Sequence, residues 1–114
     1  MAPLDLTAAR PVGTAAEFER LLREAEGRRD LVVALYRKSS GVQTVSFHEL
    51  LEAAMCHGWV DTQTKRIDDE RYAIRYVPRR PGSNWSSRNR ALARRLVLEG
   101  RMTAAGQGTL PPDL

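Results

Sequence analysis

The chain is poor in the residues that mark specialised chemistry. It has one cysteine, Cys56, in 114 residues, so no internal disulfide can form and a disulfide-stapled secreted scaffold is excluded. No stretch approaches the roughly 18 apolar residues that a membrane-spanning helix needs, which leaves only a peripheral membrane role. Met1 to Gly13 lacks a basic stretch followed by an apolar run and carries Asp5, Arg10 and two prolines instead. No signal-peptide core is expected there, and a cytoplasmic location is. Internal repeats, low-complexity segments, a zinc-finger or RNA-recognition consensus and a nucleophile elbow are all missing.

What is present is ordinary globular material, 42% hydrophobic and 28% charged, enough for one domain over residues 1–114 with a single modest core. Residues 1–13 and 107–114 are expected to be loosely ordered, because glycines and prolines punctuate them. The net charge of +4 is regional. Residues 1–64 hold 7 Lys or Arg against 9 Asp or Glu, and residues 65–101 hold 11 against 4. Such a basic half draws anionic partners without identifying them, and it speaks against direct sequestration of cationic peptides.

Thr14 and Glu17 have capping-box spacing, and Phe18, Leu21, Leu22 and Ala25 follow at helical intervals until Gly27. Leu31 to Tyr36 is a short apolar run ending at the Ser39-Ser40-Gly41 turn cluster, which reads as a buried strand. Ser46 and Glu49 make a second capping box, and the stripe of Phe47, Leu50, Leu51 and Ala54 stops at Gly58. Trp59-Val60 begins an extended segment, and the polar stretch Asp61 to Glu70 is read as turning back into a strand over Arg71 to Val77. Along that strand Tyr72, Ile74 and Tyr76 share one face, with Arg71, Ala73, Arg75 and Val77 on the other. Pro78 and Pro81 take the chain out of the sheet. Ser86 caps a third helix over about Ser87 to Glu99, and a short, poor helix follows Thr103. The fold class is therefore α+β, a small, mostly antiparallel sheet of about three strands packed against three to four helices.

The block from Cys56 to Asn89 carries a recognisable pattern: Cys56, Gly58-Trp59-Val60-Asp61, Lys65, Asp68, Arg71-Tyr72, Ile74-Arg75-Tyr76, Pro78-Arg79-Arg80, Ser83, Trp85-Ser86 and Asn89, then Gly100, Met102 and Ala105-Gly106. In this order and spacing it resembles the YdeI/OmpD-associated family, also called bacteriocin-protection proteins, from about Phe18 to Gly106. His57 stands where that family usually has an aromatic residue. The resemblance implies a bacterial protein linked to tolerance of antimicrobial peptides together with an outer-membrane porin. It implies no cofactor and no catalytic residue.

The residues themselves suggest an anion site. Arg71 and Arg75 share a strand face, Arg79 and Arg80 follow on a proline-stiffened segment, and Ser83, Trp85, Ser86 and Asn89 lead into a helix N-terminus. Arginine forks and free backbone N–H groups suit a phosphate or carboxylate. The competing reading has these arginines paired with Asp61, Asp68, Asp69 and Glu70 as a structural network. Arg88, Arg90, Arg94, Arg95 and Arg101 extend the basic surface toward a weak, salt-sensitive nucleic-acid interface. Trp59 and Trp85 are candidates for a pocket wall. Cys56 is read as buried and structural, since the C-terminal end of a helix disfavours a thiolate. His48 and Glu52 share a helix face but lack further ligands, so no metal is expected. Together these point to a non-enzymatic binding domain for a small anion, with no cofactor and an open protein partner. The alternative is an enzyme acting on a phosphorylated or carboxylated substrate, with Asp61 as base.

Overall fold

A computed structural model describes residues 4–114. Within them the order is β1 (Arg10–Pro11), α1 (Ala15–Glu24), β2 (Leu31–Tyr36), α2 (Phe47–Cys56), β3 (Trp59–Arg66), β4 (Arg71–Pro78), α3 (Ser87–Leu98) and α4 (Ala104–Gln107), with short 3-10 turns at Leu6–Ala8 and Lys38–Ser40. The class is α+β, as the alternating apolar patterns require.

The helix starts follow from their caps. Ser46 Oγ accepts from the Glu49 N–H while the Glu49 carboxylate accepts from the Ser46 N–H, a complete capping box at α2. At α1 the box is only half made. Thr14 Oγ1 accepts from the Glu17 N–H at 3.1 Å, but the Glu17 carboxylate takes the Thr14 hydroxyl and not its backbone N–H.

The sheet is mixed and four-stranded, in the order β1-β2-β4-β3. β2, β4 and β3 pair antiparallel, and β1 runs parallel to β2. Two features differ from the sequence reading. β1 is a fourth strand of two residues, admitted because a proline is tolerated at a sheet edge. β3 continues through the polar stretch to Arg66, as an edge strand can, with a bulge where the register shifts between Asp61 and Gln63.

The expected division of faces on β4 holds. Ile74 and Tyr76 are fully buried beneath α1 and α2, packed with Phe18, Leu22 and Leu50. Burial of each such side chain contributes about 1.5–3 kcal/mol. The Phe18 and Tyr76 rings meet at 4.9 Å between centroids, tilted by 51°. On the opposite face Val32 and Ala73 are covered by Leu4, Leu6 and Ala9, so the N-terminal segment closes the second side of the sheet.

A third cluster lies behind α2, where Met55 and Cys56 pack on Ala93 and Leu96 of α3 and on Met102, Leu110 and Leu114. The tail after α3, expected to be loose, is packed there. Thr103 donates both its N–H and its hydroxyl to the Cys56 carbonyl, at 3.0 and 2.8 Å, and caps α4 through the Gly106 N–H. Two glycines permit this docking. A Cβ on Gly106 would lie 2.1 Å from the Cys56 carbonyl oxygen, and one on Gly58, at φ +80°, would lie 2.8 Å from the Ala105 oxygen.

Candidate functional site

A strand separates the arginines that the sequence places side by side. At about 3.3 Å per residue, Arg71 and Arg75 stand roughly 13 Å apart and Arg71 and Arg79 roughly 26 Å. No single phosphate can bridge them, and each has a different partner.

Arg71 sits at the β3–β4 turn. Its Nε and Nη2 both donate to Asp68 Oδ2, at 3.0 and 2.9 Å. That bond raises the guanidinium pKa. Backbone donation from Glu70 and the Arg71 side chain together hold the Asp68 carboxyl below its usual range. Arg75 lies on the outer sheet face, its Nε 3.0 Å from Asp30 Oδ2 at ion-pair distance without hydrogen-bond alignment. Arg80 is exposed beyond the sheet. Arg71 thus takes one of the partners that the structural reading gave it, Asp68, whereas Arg75 takes Asp30, which that reading did not name.

Arg79 is different. Its guanidinium lies over the Trp85 ring, with Cζ 3.9 Å from the centroid, a stack worth about 0.5–2 kcal/mol. Nη1 donates to Ser83 Oγ at 3.0 Å and to the Asn84 carbonyl at 3.2 Å, while its backbone N–H is held by the Gly58 carbonyl at 2.8 Å. The group is half-buried, and among the described residues it forms no ion pair. Burial pushes its pKa down and the charge of Asp61 restores part of it, yet a guanidinium stays charged at any physiological pH. With Nη1 occupied, the Nε–Nη2 edge has no protein acceptor among the described residues. That edge is the fork that accepts a carboxylate or phosphate side-on.

The other expected residues divide around this one. Ser83 steadies Arg79, and Trp85 forms the platform under it. Ser86 Oγ accepts from the Asn89 N–H at 3.1 Å, so this cap serves its own helix. Asp61 is half-buried on β3 opposite Tyr76 and does not line the cleft. Trp59 does line it.

The cleft has a volume of about 490 Å³ and is bounded by the end of α1 (Leu22, Arg23, Glu26), by His57 to Trp59, by Pro78-Arg79 and by α4. At about 30 Å³ per water it holds roughly sixteen waters, or a ligand of similar heavy-atom count. The sequence reading missed Arg23, Glu26, His57 and the α4 wall as cleft residues. The only available signal was the Gly58 and Gly106 pair, whose missing side chains let α4 approach. His57 caps α2, with Nε2 3.5 Å from Glu19 Oε1.

The basic face of α3 is partly neutralised, and exposed Arg88 and Arg94 form no ion pair among the described residues. Glu52 accepts from Arg95 at 2.6 Å and from Arg101 at 2.7 Å. Burial raises the Glu52 pKa, but these two arginines outweigh it and the net shift is downward. Arg90 pairs with Asp113 at 2.9 Å. His48 also reaches Glu52, at 2.7 Å, and among the described residues no group of three or more His, Cys, Asp or Glu gathers as a metal site. No helix of the described residues is long and apolar enough to cross a membrane. Cys56 is buried, which pushes its thiol pKa up.

No curated protein and no solved structure matches the chain. Residues 10–109 match the profile of DUF8412, a domain of unknown function, and the chain belongs to that family.

Proposed function

We propose that the protein is a small-ligand binding domain whose cleft accepts an oxyanion, a carboxylate or a phosphate, on the open edge of Arg79. The supporting observation is that edge: a half-buried cation, fixed by Trp85, Ser83 and Asn84, with its side-on fork unspent on a residue that also lines a cleft of ligand size. Arg79 replaces the four-arginine cluster as the anchor, and Trp59 supplies apolar wall.

The test is thermal denaturation with acetate, inorganic phosphate and small phosphomonoesters at constant ionic strength. A ligand at 100 times its Kd stabilises by about 2.7 kcal/mol. Arg79→Lys keeps the charge but loses the fork, and is expected to abolish the shift. If no anion raises Tm, or Arg79→Lys responds as the wild type does, the proposal is wrong.

A second reading, an enzyme on a carboxylated or phosphorylated substrate, is favoured by His57 in the same cleft beside Glu19. That pair would take the acid–base role first considered for Asp61. Turnover of a stabilising ligand, lost in His57→Gln with the Tm shift intact, would support it. A part in bacteriocin tolerance rests on the YdeI/OmpD resemblance alone. Nucleic-acid binding is less favoured, because Arg90, Arg95 and Arg101 are committed to carboxylates.

A further inference from the structure

The sheet has one blunted edge and one open edge. β1 closes one side with two residues, the second a proline. β3 forms the other side over eight residues and pairs only with β4, so its outward backbone N–H and C=O groups have no backbone partner among the described residues. The register with β4 fixes where its side chains stand. Asp61 pairs with Tyr76 and Arg66 with Tyr72, which puts both on the helix side of the sheet. Gln63 pairs with Arg75 and Lys65 with Ala73, on the outer side. The two helix-side charges are poorly matched within the chain. The Asp61 carboxylate is half-buried and makes no ion pair or hydrogen bond among the described residues, acting on Arg79 only at longer range. Arg66 meets only Asp69, whose side chain is 90% exposed, where water screens the pair.

From this we infer that β3 pairs antiparallel with β3 of a second copy, about a two-fold axis through Thr64. Neighbouring registers fail. Centred on Gln63, the pairing sets Asp61, on the helix side, against Lys65, on the outer side; centred on Lys65, it sets that ammonium against itself. Centred on Thr64, each side chain meets one on its own face. Thr64 faces its copy, Gln63 faces Lys65 of the second copy, and Arg66 faces Thr62, beside Asp61 at the bulge. Arg66 of each copy thereby reaches Asp61 of the other, a contact the symmetry makes twice. The features that guard the edge do not oppose this register: Lys65 meets a neutral glutamine, and the bulge falls at the end of the paired segment. Pairing of one strand lies at the small end of protein interfaces, so the dimer is weak and concentration-dependent. The surface is independent of the oxyanion reading, since none of residues 62–66 lines the cleft.

Sedimentation equilibrium of the intact chain from about 10 µM to about 1 mM should show monomer passing to dimer. Thr64→Lys, at an exposed position, sets two ammonium groups face to face and should weaken association about tenfold or more. Asp61→Arg and Arg66→Asp should each do the same alone, because like charges then meet. Their equimolar mixture should associate again, since one chain brings two cations and the other two carboxylates. Circular dichroism checks that each variant is folded; if Asp61→Arg is not, Thr64→Lys and Arg66→Asp decide. A wild-type chain that stays monomeric throughout overturns the inference. So does a Thr64→Lys chain that associates as the wild type does, or a mixture of folded variants no better than its components.

Discussion

Gly106→Ala should be the most damaging small change in the C-terminal third of the chain. The added Cβ would lie 2.1 Å from the Cys56 oxygen, 2.8 Å from its carbon and 3.0 Å from the Met102 sulfur. Two of these contacts are backbone, so no rotamer change relieves them. Either α2 and α4 separate slightly, an overpacking cost of about 1–3 kcal/mol, or α4 leaves. In the second case both Thr103 bonds to the Cys56 carbonyl are lost, at about 1 kcal/mol each. The two routes meet at about 2 kcal/mol, which for a domain of this size is about 8 °C in Tm. Gly108→Ala is the control in the same short helix. Its Cβ would meet nothing closer than 3.6 Å, and its backbone is right-handed at φ −65°. Reduced freedom in the unfolded chain should make it neutral or stabilising by about 0.4–1 kcal/mol. Differential scanning calorimetry of the two variants decides the matter. Equal Tm values would refute the docking of α4 against α2, and with it one wall of the cleft.

Acid should loosen the α2–α3 contact in a defined window. Glu52 has a depressed folded-state pKa, so its stabilisation is fully present above the ordinary glutamate range and is lost as pH falls through the lower folded value. Glu52→Gln should lower Tm at pH 7 and flatten the acid limb below pH 4.5, and a parallel acid limb in wild type and variant would show that Glu52 plays no such part. Cys56, with its thiol pushed up by burial, should react with a disulfide reagent at pH 8 only as fast as the chain unfolds; rapid labelling of the native protein would contradict the packing behind α2. The Tyr76 hydroxyl is buried without a hydrogen-bond partner among the described residues, and burial raises its pKa further. Tyr76→Phe should therefore change stability by less than about 1 kcal/mol, and a larger loss in urea titration would reveal a bond that the geometry lacks.

Local chemistry made most of the scaffold readable. Ser46, Glu49 and Gly58 bracket α2 because capping and helix termination are settled within a few residues, and the alternation from Tyr72 to Val77 identified which face of β4 is core. Elements whose existence depends on distant partners were not readable. Arg10-Pro11 is a strand only because β2 lies beside it, and Asp61 to Arg66 has too little apolar content to announce an edge strand interrupted by a bulge. The site shows the same limit. Four arginines look like a cluster along the sequence, but an extended backbone spreads them, and carboxylates as remote as Asp30 take Arg75 out of play. Arg79 became the exception through Trp85 beneath it and α4 across the cleft, neither of which spacing along the chain reveals.

The hydrogen bonds from Thr103 to Cys56 also order events in time. They join residues 47 positions apart, so the chain must lose loop entropy before the contact gives anything back. Helices α1 and α2 can form on the sheet without it, whereas the cleft has its fourth side only once α3 has docked and the tail has folded across. The cleft is then among the last parts to assemble and the first to open, and slowed amide exchange at residues 104–107 on adding an anion would report whether such a ligand holds it shut.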